Sequence, residues 1–189
     1  SALEIGTSIH NVFPMRLAFF ICLLSSTLIA QPFTKTEIVA WKSQAKRVTI
    51  IRDTWGIPHI YGKTDGDAIF GFLYAQCEDD FERVEMNYIT AVGRLAEVEG
   101  ESKLYHDLRT RLFYDSLQAI SIYTGSPVWL KGLCEGFANG INYYLQTHPE
   151  VKPKLLHRFQ PWMPFLFSEG STGGDLEAIS VSRLKNFYG

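Results

Sequence analysis

Apolar residues recur every three or four positions along most of the chain. In "SPVWLKGLCEGFANGINYYLQTHP" they fall at Trp129, Leu133, Phe137, Ile141 and Tyr144, one face of a helix. Ser126 reads as its cap and Pro127 as its first helical residue, and the helix stops before Pro149. Gly136 and Gly140 would let another element pack closely against it. "EDDFERVEMNYITAVGR" opens a helix with Phe81, Val84, Tyr88 and Val92 on one face. "SKLYHDLRTRLFYDSLQAISIY" repeats the period at Tyr105, Leu108, Leu112, Leu117 and Ile120. Upstream, Thr64 with Asp67 three residues on resembles a capping box that starts "DAIFGFLYAQC".

The pattern differs at the two ends. "RVTIIRDTWGIPHIYG" carries β-branched and aromatic residues on either side of Asp53-Thr54-Trp55-Gly56, which predicts two short strands joined at that turn. Gly56 supplies the backbone freedom of the turn. Pro58 belongs at the start of the second strand or on an edge, since it cannot donate to a ladder. "QPFTKTEIVAWKSQAK" reads as a polar, weakly patterned lead-in. A proline-aromatic loop, "FQPWMPFLFSEGSTGG", precedes a last helix, "DLEAISVSRLKNFY". There is no internal repeat or low-complexity linker, and the class predicted is α+β: mostly helical, with an N-terminal β-hairpin.

The stretch "MRLAFFICLLSSTLIAQ" has one cation, Arg16, and then an apolar or hydroxylated run from Leu17 to Ala30. As a helix that run reaches about 21 Å, short of the roughly 30 Å hydrocarbon core. It reads as a signal peptide over residues 15–30 rather than a membrane span, which places the mature chain in the periplasm or outside the cell. Ala30 suits the residue before cleavage, although Leu28 is large for the −3 position. Residues 1–14 read as an upstream artefact, and the fold is expected within residues 31–189. Cys22 leaves with the signal. Cys77 and Cys134 sit on apolar helical faces and are expected as buried free thiols, a disulfide between them being the alternative in a compartment that permits one.

The 189 residues are 46% apolar and 14% aromatic, enough for a packed core. With 18 basic residues against 20 acidic ones, nothing favours nucleic acid. The familiar catalytic patterns are absent. No G-x-S-x-G elbow occurs, and "GSTGG" has the wrong order. The five histidines are scattered, without zinc spacing. "EGSTGGDLE" lacks the lysine of a phosphate cradle, and Asp175 and Glu177 at the helix start would repel a phosphate. His59 has no nucleophile beside it, so it reads as a strand histidine hydrogen-bonded inside a core. Arg52, Asp53, Asp107, Arg109 and Arg111 read as charge pairs or a solvated face.

Taken in order, the residues resemble a known family. Its pattern runs R-D-x-x-G-x-P-H-I, a helix to A-Q-x-x-D, M-E, G-x-L-A-E-x-x-G, and D-x-x-x-R. This chain has Arg52, Asp53, Gly56, Pro58, His59 and Ile60, then Ala75, Gln76 and Asp79, then Glu85 and Met86. Gly93, Leu95, Ala96, Glu97 and Gly100 follow, and then Asp107 with Arg111. "LYAQCEDDFERVEM" departs from the usual run, and "PWMP" matches a W-x-P after the helices. Residues 46–189 thus resemble the α segment of penicillin acylases, N-terminal-nucleophile amidohydrolases with acyl-homoserine-lactone acylases close by.

The resemblance implies a secreted precursor, a zymogen, cut into an α and a β segment that form a heterodimer. The αββα N-terminal-nucleophile hydrolase fold would be completed by the absent β segment. The nucleophile would be the serine that begins the β segment, its own α-amine acting as base. No catalytic residue is then expected in this chain, which alone would be inactive. The substrate would be an amide between a hydrophobic acyl group and an amine, such as a β-lactam antibiotic side chain or an acyl-homoserine lactone. Phe165 or Phe167 would be the best-placed residues for the acyl pocket. The family also implies a structural calcium between the segments, with Glu177 as the ligand from this chain and Asp175 the runner-up. The alternative is a secreted, non-catalytic helical binding or interaction module.

Overall fold

The computed structural model describes residues 33–113, 115–167 and 180–189. The stretch read as a polar lead-in is a helix, α1 (Lys35–Ala45). Local capping makes it, not an apolar stripe. The Thr34 hydroxyl accepts from the Glu37 N–H, and the Glu37 carboxylate accepts from the Thr34 N–H at 2.8 Å. Its one buried residue, Trp41, packs edge-on against Phe33 and donates its indole N–H to Asn139 Oδ1 at 2.8 Å.

Two antiparallel strands follow, β1 (Val48–Arg52) and β2 (Pro58–Gly62), in a register that pairs Ile50 with Ile60. The turn between them is built by its own residues. The Asp53 carboxylate accepts from the N–H groups of Trp55 (2.9 Å) and Ile57 (3.0 Å), and Gly56 has φ +80°. A Cβ at Gly56 would meet nothing within 4 Å, so only the backbone conformation excludes other residues. Gly56→Val is therefore expected to cost about 1–3 kcal/mol, read as a lower urea midpoint. An unchanged midpoint would show that the turn re-forms in another conformation.

Helix α2 (Asp65–Ala91) starts where Thr64 caps the Asp67 N–H. The separate helix expected from "EDDFERV" is the second half of α2. Asp80, at φ −164° and ψ 77°, kinks the helix and caps its continuation by accepting from the Arg83 N–H at 3.0 Å. Beyond α2 come a short turn of helix, α3 (Ala96–Glu99), a 3₁₀ turn (Glu101–Lys103), α4 (Leu104–Phe113) and α5 (Ser116–Gly125). The single helix expected over this stretch is thus two. Asp115 restarts the chain by accepting from the Leu117 N–H at 3.0 Å, which shifts the phase of the apolar stripe. Leu117 and Ile120 consequently lie exposed, as does Leu112 near the end of α4.

The long helix α6 (Val128–Thr147) keeps its expected stripe at Phe137, Ile141 and Tyr144, while Trp129 is exposed. It crosses α2 closely: a Cβ at Gly136 would collide with the Gly66 carbonyl, and one at Gly140 with the Phe70 carbonyl. Between these helices and the loop after α6 lies the main core, centred on Tyr88, Ile89, Phe137, Ile141 and Phe159. A 3₁₀ turn (Met163–Leu166) and α7 (Val181–Tyr188) complete the described elements. The expected last helix began at Asp175; its part before residue 180 lies outside the described residues. Cys77 and Cys134 are buried free thiols, and burial pushes Cys77 up to about 12, so it stays protonated. The class is α+β, as expected.

Candidate functional site

The acidic residues of the ordered motifs are tied to backbone or to arginine. Glu85, 1% exposed, accepts from three successive N–H groups: Lys154 (3.0 Å), Leu155 (2.8 Å) and Leu156 (2.9 Å). Asp107 accepts from the N–H groups of Leu95 and Ala96, both at 2.8 Å, and Arg111 donates through Nε to the Gly93 carbonyl at 2.9 Å. The D-x-x-x-R pair on α4 therefore clamps the G-x-L-A-E turn. Arg94 and Glu97 close that turn with two bonds of 2.6 Å. Asp67, also 1% exposed, takes a bidentate grip from Arg47 at 2.7 and 2.9 Å. That guanidinium holds its carboxyl below the usual range.

The stretch "RDTWGIPHIYG" serves the same bracing purpose. Arg52 reaches from β1 to Glu78 (3.1 Å), Asp79 (2.8 Å) and the Ala75 carbonyl (3.4 Å), just before the kink of α2. His59 is not in a core, contrary to the sequence expectation. It is exposed on the outer face of the hairpin and lies 3.3 Å from Asp53. The Ile57 N–H is the main influence holding the Asp53 carboxyl below its usual value, with a smaller part from His59. Asp53 therefore shapes the turn rather than priming a base. Arg109 meets His106 at 3.3 Å, while Asp107 and Arg111 bind backbone, so the residues of α4 expected as charge pairs or a solvated face brace the neighbouring turn instead.

Two braces had no signal strong enough to be read in advance. Asn142, buried inside α6, exchanges two hydrogen bonds with the backbone of Phe159, at 2.8 and 2.9 Å. An amide within an otherwise apolar helical face was the available hint. Glu37 accepts from both ends of the Arg158 guanidinium, at 2.7 and 3.1 Å, and this lowers its carboxyl from 4.5 to about 2. A group depressed in the fold stabilises it above its ordinary value and ceases to do so as the pH falls through the folded value. The melting-temperature gap between wild type and Glu37→Gln should be full above pH 4.5 and close towards pH 2. A gap that persists at pH 2 would remove the ion pair as its cause.

A cavity of about 530 Å³ opens where the clamped turn, the start of α5 and the loop before the 3₁₀ turn meet. Leu155, Trp162 and Met163 give it apolar walls, and Arg94, Arg111 and Arg158 give it polar ones. That size and lining suit a small apolar group with a polar end. Phe165 and Phe167 do not line it. Phe165 is half-buried in the 3₁₀ turn, and Phe167, 43% exposed, packs edge-on against Tyr88 with ring centroids 4.7 Å apart. Among the described residues no group of three or more His, Cys, Asp or Glu is disposed to hold a metal. Glu177 and Asp175 lie outside the described residues.

The sequence model described as penicillin amidase matches residues 47–181. The chain belongs to the penicillin amidase family. Penicillin G acylase of Escherichia coli is 29% identical over 134 residues, which are 66% of this chain and 16% of that protein. An acyl-homoserine lactone acylase, QuiP of Pseudomonas fluorescens Pf0-1, is 31% identical over 112 residues, 59% of this chain and 14% of that one. The chain thus spans about one-sixth of the length of the acylases it matches. Among solved structures, a thermostable penicillin G acylase from Alcaligenes faecalis superposes with a TM-score of 0.60 at 19% identity. That match covers 74% of this chain and 79% of the solved chain, so the two chains are similar in length. The penicillin amidase fold is therefore shared over most of the described residues. No helix among them is long and apolar enough to cross a membrane.

Proposed function

We propose that this chain is the α segment of a secreted acylase that hydrolyses the amide bond between a hydrophobic acyl group and an amine. The nucleophile in this reading is the N-terminal serine of a second, β segment, which forms a heterodimer with this one. The observation that carries the reading is the use made of the motif acids. Glu85, Asp107 and Asp79 are each engaged by backbone N–H groups or by Arg52, so the motifs that define the family brace a scaffold. The solved penicillin G acylase chain is covered to 79%, whereas the curated acylases are covered to 16% and 14%, which supports a two-segment arrangement within this family. The relatives' names, penicillin G acylase and acyl-homoserine lactone acylase, supply the two substrate classes to try.

The test is expression of this chain together with the coding region that follows it, with penicillin G and long-chain acyl-homoserine lactones as substrates. Amide hydrolysis is expected only when both segments are present, and replacing the first serine of the second segment by alanine should abolish it. Turnover by the purified 189-residue chain alone would overturn the assignment of the nucleophile. Inactivity of the pair towards every acyl amide would leave a binding module.

The same reading includes a calcium ion between the segments, with Glu177 as one oxygen ligand; such an ion takes about six to eight oxygens, so one carboxylate from this chain would complete a site built mostly by the other. A chelator should then lower the heterodimer's melting temperature in wild type and much less in Glu177→Gln. Equal losses in both would remove Glu177 as a ligand and bring Asp175 forward, and no loss in either would remove the calcium.

A further inference from the structure

Helix α1 ends just before the family match, which begins at residue 47, so its outer face is separate from the motifs of the family. The inner face is taken up by the body of the protein. Trp41 is buried, Ile38 and Ala45 pack beside Phe70, and Glu37 is held by Arg158. By the helical period the opposite face carries Lys35, Val39, Lys42 and Lys46, at i, i+4, i+7 and i+11. All four are exposed, Val39 to 67%. None of the three lysines has an ion pair or a side-chain hydrogen bond among the described residues. Glu37, the one acid of α1, lies on the other side of the helix. Elsewhere the cations are mostly neutralised: Arg47, Arg52, Arg94, Lys103, Lys154 and Arg158 each meet a carboxylate within 3.1 Å. A row of three unpaired lysines is therefore a local excess of positive charge.

We infer that this lysine face of α1 docks the protein on an anionic phospholipid surface. The arrangement of the charges selects the partner. The three lysines are strung over about 16 Å of a convex helix and do not converge, so they form a row for a surface and not a cradle for one small anion. Lysine is a compact point charge without a planar fork, which suits a field of headgroups better than bidentate capture of a single phosphate. Val39 stands among them as an apolar side chain in water. It gains contact at the acyl boundary of a bilayer and would gain nothing on a polysaccharide. No aromatic residue or arginine lies on this face to stack on the bases of a nucleic acid. The helix stays fixed to the body through Trp41 and the Glu37–Arg158 pair, so it docks by charge and does not insert. The whole chain has a formal charge of −2, so the attraction comes from this face and orients the molecule. Each lysine near such a surface strengthens binding about fivefold, and three give about a hundredfold. The inference does not depend on the two-segment reading, since α1 precedes the matched residues.

The test is flotation with vesicles of equimolar phosphatidylcholine and phosphatidylglycerol, against vesicles of phosphatidylcholine alone. The neutral vesicles register any attraction that owes nothing to headgroup charge, that of the apolar run at residues 17–30 included. Wild type is compared with Lys35→Gln/Lys42→Gln/Lys46→Gln and with Lys103→Gln/Lys152→Gln/Lys185→Gln, which has the same net charge but changes lysines of other segments. Each full chain is co-expressed with the coding region that follows it and used as recovered, with or without a second segment. Wild type and the second variant should prefer the anionic vesicles by about a hundredfold, and the α1 variant by less than about tenfold. Salt at about 1 M should remove most of the preference. Melting temperatures should agree, because glutamine keeps the helix propensity of lysine and the Thr34 cap is untouched. Should the α1 variant melt lower, Lys42→Gln/Lys46→Gln decides in its place, with a loss of at least about tenfold expected. No anionic preference in wild type, or the same preference in all three proteins, would overturn the docking surface. So would an equal loss in both variants, since net charge and not this face would then set the binding. Retention of wild type but not the α1 variant on heparin, with wild type indifferent to the vesicles, would overturn it too and give the face to a soluble polyanion. None of these outcomes bears on the acylase reading, whose test is hydrolysis.

Discussion

Replacement of Glu85 by alanine is expected to destabilise the fold by about 3–5 kcal/mol. The carboxylate sits in the core on α2 and is the shared acceptor for the N–H groups of Lys154, Leu155 and Leu156. Alanine would leave three donors without a partner, one buried and two partly so, and each orphaned buried donor costs about 1–3 kcal/mol. The loop they belong to delivers Leu156 and Phe159 to the core, so the loss would spread from hydrogen bonds to packing. Glu85→Gln should fall between wild type and alanine, because its amide oxygen still accepts while its amide nitrogen faces a donor. Urea denaturation of the three proteins is the measurement. A loss below about 1 kcal/mol for Glu85→Ala would mean that burial of Leu156 and Phe159 holds the loop without the carboxylate.

Gly140→Val should rank with it, at about 3 kcal/mol or more. The first atom of any side chain there would overlap the Phe70 carbonyl, which is backbone of a packed helix and cannot swing aside. Either α2 and α6 part, opening the core around Ile89 and Ile141, or α6 bends. The same helix provides its own control. A Cβ at Gly132 would meet nothing within 4 Å, so Gly132→Ala should be neutral or stabilising by up to about 1 kcal/mol through helix propensity alone. Thermal melts of Gly132→Ala, Gly136→Ala and Gly140→Val separate the two effects. Similar melting temperatures for all three would show that the helices are not locked at this crossing.

Some of this architecture could be read from residue order alone. The turn at Asp53–Gly56 is local chemistry: an aspartate that captures nearby N–H groups and a glycine that accepts φ +80°. The start of α2 at Thr64 and the stripe of α6 are equally local, because a cap and a 3.6-residue period act within a turn or two of chain. Helix α1 was legible too, since Thr34 and Glu37 are three residues apart; the weak apolar pattern around them concealed it. The run from Ser102 to Tyr123 misled for the opposite reason. Its period persists across Asp115, but a capping carboxylate at that point starts a new helix with a new phase.

The bracing residues were harder. Glu85 and the loop N–H groups it collects are separated by about seventy residues, and Glu37 and Arg158 by more than a hundred. Nothing local distinguishes such a carboxylate from a solvated one. Only burial, which removes competing water, turns it into a structural joint.

The sequence by itself determined the hairpin and its turn, the main helical faces and the ordered motifs of the penicillin amidase family. These depend on interactions across a few residues, or on residue identity alone. Tertiary structure decided which of those motif residues carry the fold, how closely α2 and α6 approach, and that α5 keeps its apolar surface outside the core. Each of these follows from which groups lose contact with water when distant segments meet, and that is a property of the assembled chain.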